Sequence, residues 1–236
     1  MQDDSISLNK FISDTGICSR READKMIEAG RVKINGKPTR KGNRVNPGDC
    51  VTLDGKPLQA KPEPVYIALN KPPGITSTTD RRDKDNIIDF IKYSQRIFPI
   101  GRLDKASTGL ILLTNDGDIV NQILRVENHH EKEYVVTVDK PITSVFVQRM
   151  KSGIPILGTV TQKCQVERIN RFTFRIILTQ GLNRQIRRMC EYLGYQVKTL
   201  KRIRIMHIEL GDLKPGQWRR LNRAERSLLM KQLDST

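Results

Sequence analysis

Asp104 stands among cations in Gly101-Arg102-Leu103-Asp104-Lys105-Ala106-Ser107-Thr108-Gly109-Leu110, just ahead of the apolar run Leu110-Ile111-Leu112-Leu113. A carboxylate beside Arg and Lys is favoured in its charged form, because opposite charges stabilise it. Such an Asp can serve as nucleophile or base toward a polyanionic substrate. The same Arg-x-Asp pattern at a strand end also makes a plain structural ion pair, so the motif alone leaves both readings open. Two other chemistry-bearing residues are equally ambiguous in isolation. Tyr134, in Tyr134-Val135-Val136-Thr137-Val138, fits a core or cross-strand position, and Arg187, in Arg184-x-x-Arg187-Arg188, fits a solvated helix face.

Composition narrows the substrate. The 236 residues carry 42 Lys and Arg against 26 Asp and Glu, a formal charge of +16. Such an excess points to a polyanion, since basic patches supply salt-dependent affinity for phosphate backbones. No apolar run approaches the roughly 20 residues needed to span a bilayer, and there is no lipidation signal. The opening Met-Gln-Asp-Asp-Ser-Ile is acidic and lacks the apolar core of a signal peptide, so a cytoplasmic, nucleic-acid-directed protein is expected. Cys18, Cys50, Cys164 and Cys190 are scattered without C-x-x-C spacing, which implies mostly packed thiols rather than a disulfide framework or zinc site. His129, His130 and His207 make a poor metal constellation, so no metal is expected.

The elements that must position these residues fall into two parts. Leu8, Phe11 and Ile12 have helical spacing, broken at Gly16. Ser19-Arg20-Arg21-Glu22 reads as a capping box opening a second helix, whose apolar face is Ala23, Met26 and Ile27 and which Gly30 ends. Val32-Lys33-Ile34 alternates, Asn35-Gly36 is a hairpin turn, and Asn46-Pro47-Gly48-Asp49 leads into a strand over 50–53. Arg20, Arg21, Lys25, Arg31 and Lys33 crowd this small unit and are expected to contact phosphate. Ala60-Lys61-Pro62-Glu63-Pro64 reads as a linker. The expected organisation is a first domain over 1–60, a linker at 61–64 and a second domain over 65–236.

In that second part the pattern predicts helices over 86–93, 118–125, 143–152 and 183–193, and a last one from Asn222. It predicts β runs over 65–69, 109–114, 133–138, 159–169, 172–179, 195–200, 204–210 and 218–221. Short turns between neighbouring runs imply a mostly antiparallel mixed sheet with flanking helices, an α+β fold.

Taken together the motifs resemble known families. Leu8-Asn9-Lys10-Phe11-Ile12, Gly16-Ile17-Cys18-Ser19-Arg20-Arg21-Glu22-Ala23 and Gly30-Arg31-Val32-Lys33-Ile34-Asn35-Gly36 resemble an S4 RNA-binding domain. Gly101 to Leu110 is similar to the catalytic motif of pseudouridine synthases. Asn70-Lys71-Pro72-Pro73-Gly74 is similar to their Lys-Pro-x-Gly loop, Lys132-Glu133-Tyr134 to their Lys-x-Tyr strand, and Gly181 to Met189 to their Gln-Ile-Arg helix. The whole resembles the RsuA–RluB–RluE–RluF branch of bacterial ribosomal RNA pseudouridine synthases. Members can carry a basic C-terminal extension. This sequence stops at Thr236, so RNA contact from such a tail is expected to be missing.

The resemblance implies isomerisation of uridine to pseudouridine without cofactor or metal. It implies Asp104 as the catalytic carboxylate, Arg187 as the basic residue that pairs with it and keeps it ionised, and Tyr134 as the ring that stacks on the uracil near C5. It implies Arg102 filling the gap left by an extruded base, with Lys71, Arg184 and Arg188 also on the RNA. The basic stretch continuing through Lys198, Lys201, Arg202 and Arg204 to Arg219 and Arg220 is expected to line the RNA track. The expected partner is 23S ribosomal RNA or a ribosome assembly intermediate, bound by a monomer. Small-subunit RNA, a transfer-RNA stem-loop, and a non-catalytic assembly factor are the alternatives.

Overall fold

The computed structural model describes residues 4–58 and 61–234. The first three residues, Ala60 of the expected linker and the final Thr236 therefore lie outside the described residues. The chain divides into two compact units, Met1–Pro64 with Ser94–Arg96, and Val65–Tyr93 with Ile97–Thr236.

In the first unit the capping box forms as its residue types dictate. Ser19 Oγ accepts from the Glu22 N–H (3.2 Å) and Glu22 Oε2 accepts from the Ser19 N–H (2.7 Å), opening the helix Arg20–Glu28. That helix buries Ala23 and Ile27 against Leu8 and Ile12 of the helix Leu8–Asp14, with Val32, Val45 and Val51 completing a small core. Asn35 and Gly36 both take positive φ, which closes the hairpin between Val32–Ile34 and Lys37–Pro38. These strands belong to a four-stranded antiparallel sheet, while Ile6–Ser7 pairs separately with Arg44–Val45.

The second unit is built on a nine-stranded sheet. From one edge its main path runs Gln165–Arg168, Thr173–Leu178, Lys132–Val138, Val197–Ile205, Thr108–Thr114, Tyr66–Lys71 and Trp218–Arg220. Every pairing along it is antiparallel except the central one, Val197–Ile205 with Thr108–Thr114, which is parallel. The α+β expectation of a mostly antiparallel mixed sheet holds, the parallel seam being what makes the sheet mixed. The unbroken apolar run of Leu110 to Leu113 follows from burial on both faces. Ile111 and Leu113 join Ile67 and Leu69 under the helix Ile87–Ile91, whereas Leu110 and Leu112 face the helices Asp118–Leu124 and Arg223–Asp234. A third cluster around Val136, Phe146, Phe174, Ile186 and Met189 covers the other half.

Three β readings are corrected. The run over 159–169 is two strands, Thr159–Val160 and Gln165–Arg168, in different sheets. The runs over 195–200 and 204–210 are one long strand, Val197–Ile205, followed by the short Ile208–Glu209. Phe98–Ile100, unread in the sequence because it is only three residues long and centred on a proline, pairs with Thr108–Thr114.

Candidate active site

The parallel seam fixes where the Gly101–Leu110 motif goes. Thr108 and Gly109 pair with Lys201 and Arg202. A Cβ on Gly109 would stand 2.1 Å from the Arg202 carbonyl oxygen, and φ is +101° there, so the seam closes only around a residue without a side chain. Asp104 lies in the loop just before this strand, where the Ser107 N–H donates to the Asp104 carbonyl (2.9 Å) in a tight turn.

Arg187 approaches from the helix Gln185–Tyr192, whose buried Ile186, Met189 and Cys190 anchor it to the core. Its Nη2 donates to Ser107 Oγ (3.2 Å), which aims Nε at Asp104 Oδ2, 3.5 Å away. That buried Nε has no hydrogen-bond partner. Arg184 Nη1 lies 3.6 Å from the same carboxylate oxygen. Both contacts are longer than a formed hydrogen bond, the looseness common in sites that tighten on substrate.

Tyr134 projects from Lys132–Val138, half-buried, with the Arg202 guanidinium 5.9 Å from its ring centroid. Asp104, Tyr134, Arg102, Arg184 and Arg187 line one open cleft, together with apolar Leu103, Leu182 and Leu200. Arg102 is exposed at this cleft and makes no hydrogen bond or ion pair among the described residues. The arrangement can hold a flat, uncharged ring beside a carboxylate while guanidinium groups face a phosphate backbone.

Not every expected RNA contact lies in reach of RNA. Lys71 is fully buried, and its Nζ donates to the carbonyls of Ile75 (2.8 Å), Pro72 (2.9 Å) and Lys105 (3.3 Å). Burial pushes its ammonium down to about 8, with the charge of Asp104 pulling weakly the other way. Lys71 is therefore corrected from an RNA contact to a brace of the loop that carries Asp104. The basic track is corrected at Arg202, which is 4% exposed and donates through Nε to the Leu110 carbonyl (2.7 Å), whereas Lys198, Lys201 and Arg220 are exposed. Arg204 is held by Glu131 and Glu133, and Arg219 by Glu225.

Arg188 donates to Asn183 rather than facing the cleft carboxylate. In the first unit Arg20, Arg21, Lys25, Arg31 and Lys33 are all exposed, although Arg31 is engaged by Asp54 and Arg20 donates to Ser7 Oγ. Sequence reasoning passed over Ser107, which orients Arg187. Its position three residues after Asp104 was the available signal.

Residues 65–192 match the family model of RNA pseudouridylate synthase, and residues 7–51 match that of the S4 domain. The chain belongs to the RNA pseudouridylate synthase family. Over its whole length it is 56% identical to the dual-specificity RNA pseudouridine synthase RluF of Escherichia coli strain K12, covering 82% of that protein. It is 36% identical to ribosomal large subunit pseudouridine synthase B of Bacillus subtilis strain 168, with 91% of each chain covered. A crystal structure of a pseudouridylate synthase superposes with a TM-score of 0.70 at 30% identity, covering 95% of this chain and 100% of that one. This pseudouridine synthase thus carries an S4 RNA-binding domain ahead of its catalytic domain, as the motifs implied. Among the described residues no helix is long and apolar enough to cross a membrane, and no three His, Cys, Asp or Glu side chains cluster as metal ligands.

Proposed function

We propose that the chain isomerises a uridine of large-subunit (23S) ribosomal RNA, with Asp104 as the catalytic carboxylate acting on an extruded base. The observation that carries this reading is Asp104 in the cleft with Arg187 and Arg184 at its carboxylate and Tyr134 on the same wall. Asp104 starts cleavage of the C1′–N1 bond, as nucleophile or as base. The freed uracil turns and rejoins C1′ through C5. The C5 proton is lost and N1 gains one, so the sum is an isomerisation that needs no oxidant, hydrolysis or cofactor. Tyr134 offers its face to the uracil and its oxygen to the C5 proton. Arg102 fills the space the base leaves. Extrusion is required because C1′ and C5 cannot be reached within a stacked helix, and it costs a few kcal/mol.

The large-subunit target is supported by the Bacillus relative's name and by the exposed cations of the S4 domain. The dual specificity in the name of the Escherichia coli relative favours a second accepted RNA, and a transfer-RNA stem-loop is the candidate. The test is carbodiimide mapping of pseudouridine by primer extension, on RNA from cells lacking the gene and complemented with wild type or Asp104→Asn. Wild type restores one stop in 23S RNA and Asp104→Asn restores none while still binding the RNA, because the amide can be neither nucleophile nor base. A modified site restored by Asp104→Asn overturns the assignment, and stops restored only in other RNA overturn the target.

A further inference from the structure

The loop bearing Asp104 is gripped on both sides of that residue by one short segment, Lys71 to Ser77. After Asp104, the Lys105 carbonyl accepts from Lys71 Nζ (3.3 Å) and from the Gly74 N–H (2.8 Å). Before it, a single hydroxyl does both halves of the work. Ser77 Oγ accepts from the Leu103 N–H (3.1 Å) and donates to the Leu103 carbonyl (3.0 Å). A hydroxyl can donate once and accept at the same time, so Ser satisfies both polar backbone groups of Leu103 as a paired strand would. Ser77 is 5% exposed and Leu103 6%, so water is poorly placed to take over either bond.

The hydroxyl is itself on a fixed support. The Thr76 N–H donates to Asp85 and the Thr76 carbonyl accepts from Ile87, the first residue of the helix Ile87–Ile91. Asn86, capping that helix, donates to Asp83 and accepts from Asp89. A continuous line of bonds therefore runs from a helix start through Thr76 and Ser77 to the residue adjoining Asp104.

We propose that Ser77 is a positioning residue for the isomerisation, setting the register of the Asp104 carboxylate against Arg187 and the bound uridine. This rests on Asp104 being the catalytic carboxylate. Ser77 does not itself line the cleft, and its bonds to the lining residue Leu103 go to backbone atoms, so its effect reaches the reaction through the Leu103 backbone.

The test is steady-state kinetics of full-length Ser77→Ala and Ser77→Thr on a large-subunit RNA transcript, alongside wild type and Asp104→Asn, well below the melting temperature of each. Ser77→Ala is expected to lose about 10- to 100-fold in kcat, the scale of a small misplacement of a reacting group. Its KM and its affinity for the RNA stay within about twofold of wild type, and Ser77→Thr, which keeps the hydroxyl, recovers kcat to within about threefold. Ser77→Ala with kcat within twofold of wild type overturns the proposal. So does a variant pair in which kcat, RNA affinity and melting temperature all fall together and threonine restores nothing, since that is the signature of a purely structural serine. A wild-type protein that makes no pseudouridine in the same assay counts against the proposed function instead.

Discussion

Two Arg–Asp pairs, one in each unit, rank oppositely by distance and by surroundings. In the S4 domain Arg31 Nη2 lies 2.5 Å from Asp54 Oδ2, with side chains 46% and 50% exposed. In the catalytic domain Arg187 Nε lies 3.5 Å from Asp104 Oδ2, with side chains 11% and 31% exposed. The closer pair sits in water, where solvent and salt screen the attraction and side-chain entropy opposes it. The looser pair is bounded by Leu103, Leu182 and Leu200, and its guanidinium Nε is left without a hydrogen bond. Proximity therefore marks a surface contact here, and the unfinished contact belongs to the walled cleft in which the proposed function puts the uridine.

Three measurements sharpen or break that contrast. The largest effect is expected from Arg187→Ala, which removes the cation facing Asp104 and the donor to Ser107. Single-turnover rates should fall about 100-fold while RNA affinity stays within about threefold. A loss no greater than that of an exposed arginine would break the comparison.

The intermediate effect belongs to Lys71→Met. The Pro72 and Ile75 carbonyls lose the Lys71 donor and the Lys105 carbonyl keeps only the Gly74 N–H, and the fold should lose about 2 kcal/mol in urea denaturation. Its pH signature is more specific. Lys71 titrates at about 8 when folded, against about 10.4 unfolded, so above pH 8 the unfolded chain holds a proton that the folded chain has released. Stability thus rises with pH through this window, and Lys132, also lowered by burial to about 8, works in the same direction. Cys164 and Cys190, pushed by burial up to about 11 and about 12, work oppositely once unfolded thiols ionise. Between pH 8 and 9 the wild-type urea midpoint should therefore rise more steeply than that of Lys71→Met. The salt dependence of RNA binding should be the same for both, because a buried ammonium neutralises no phosphate.

The smallest effect is expected from Arg31→Ala. Its melting temperature should stay within about 2 °C of wild type, while the slope of log affinity against log salt should shrink by about one. A large loss of stability would return weight to distance as the guide.

Local grammar made much of this molecule legible in its sequence. The Ser19–Glu22 box and the Asn35-Gly36 turn each follow from interactions within a few residues, and the apolar run Leu110 to Leu113 announced a strand. The motif residues Asp104, Tyr134, Arg184, Arg187 and Arg102 do line one cleft, which the resemblance implied and spacing alone could not. What escaped was set by contacts distant in sequence. Nothing near Lys71 shows that its ammonium turns inward to three carbonyls, because a lysine in a Pro-Gly loop is ordinarily solvated. Arg202 alternates with Lys201 as any edge residue would, and only the neighbouring strand hides it. Ser77 carries no pattern at all, since its partner, Leu103, is 26 positions away.

The parallel seam at Gly109 also sets a timetable. Its two strands are separated by the whole span from Thr114 to Val197, and closing so long a loop is slow relative to forming the hairpins on either side. A chain emerging from the ribosome exposes Asp104 long before the guanidinium of Arg187 or the backbone of Arg202 has been made. The helices and strands of the S4 domain, the last of them Lys56–Pro57, have all been made by that stage. The elements of the S4 domain thus come early in the life of each molecule, and the cleft around Asp104 is finished only when the last third of the chain has been synthesised and locked into the middle of the sheet.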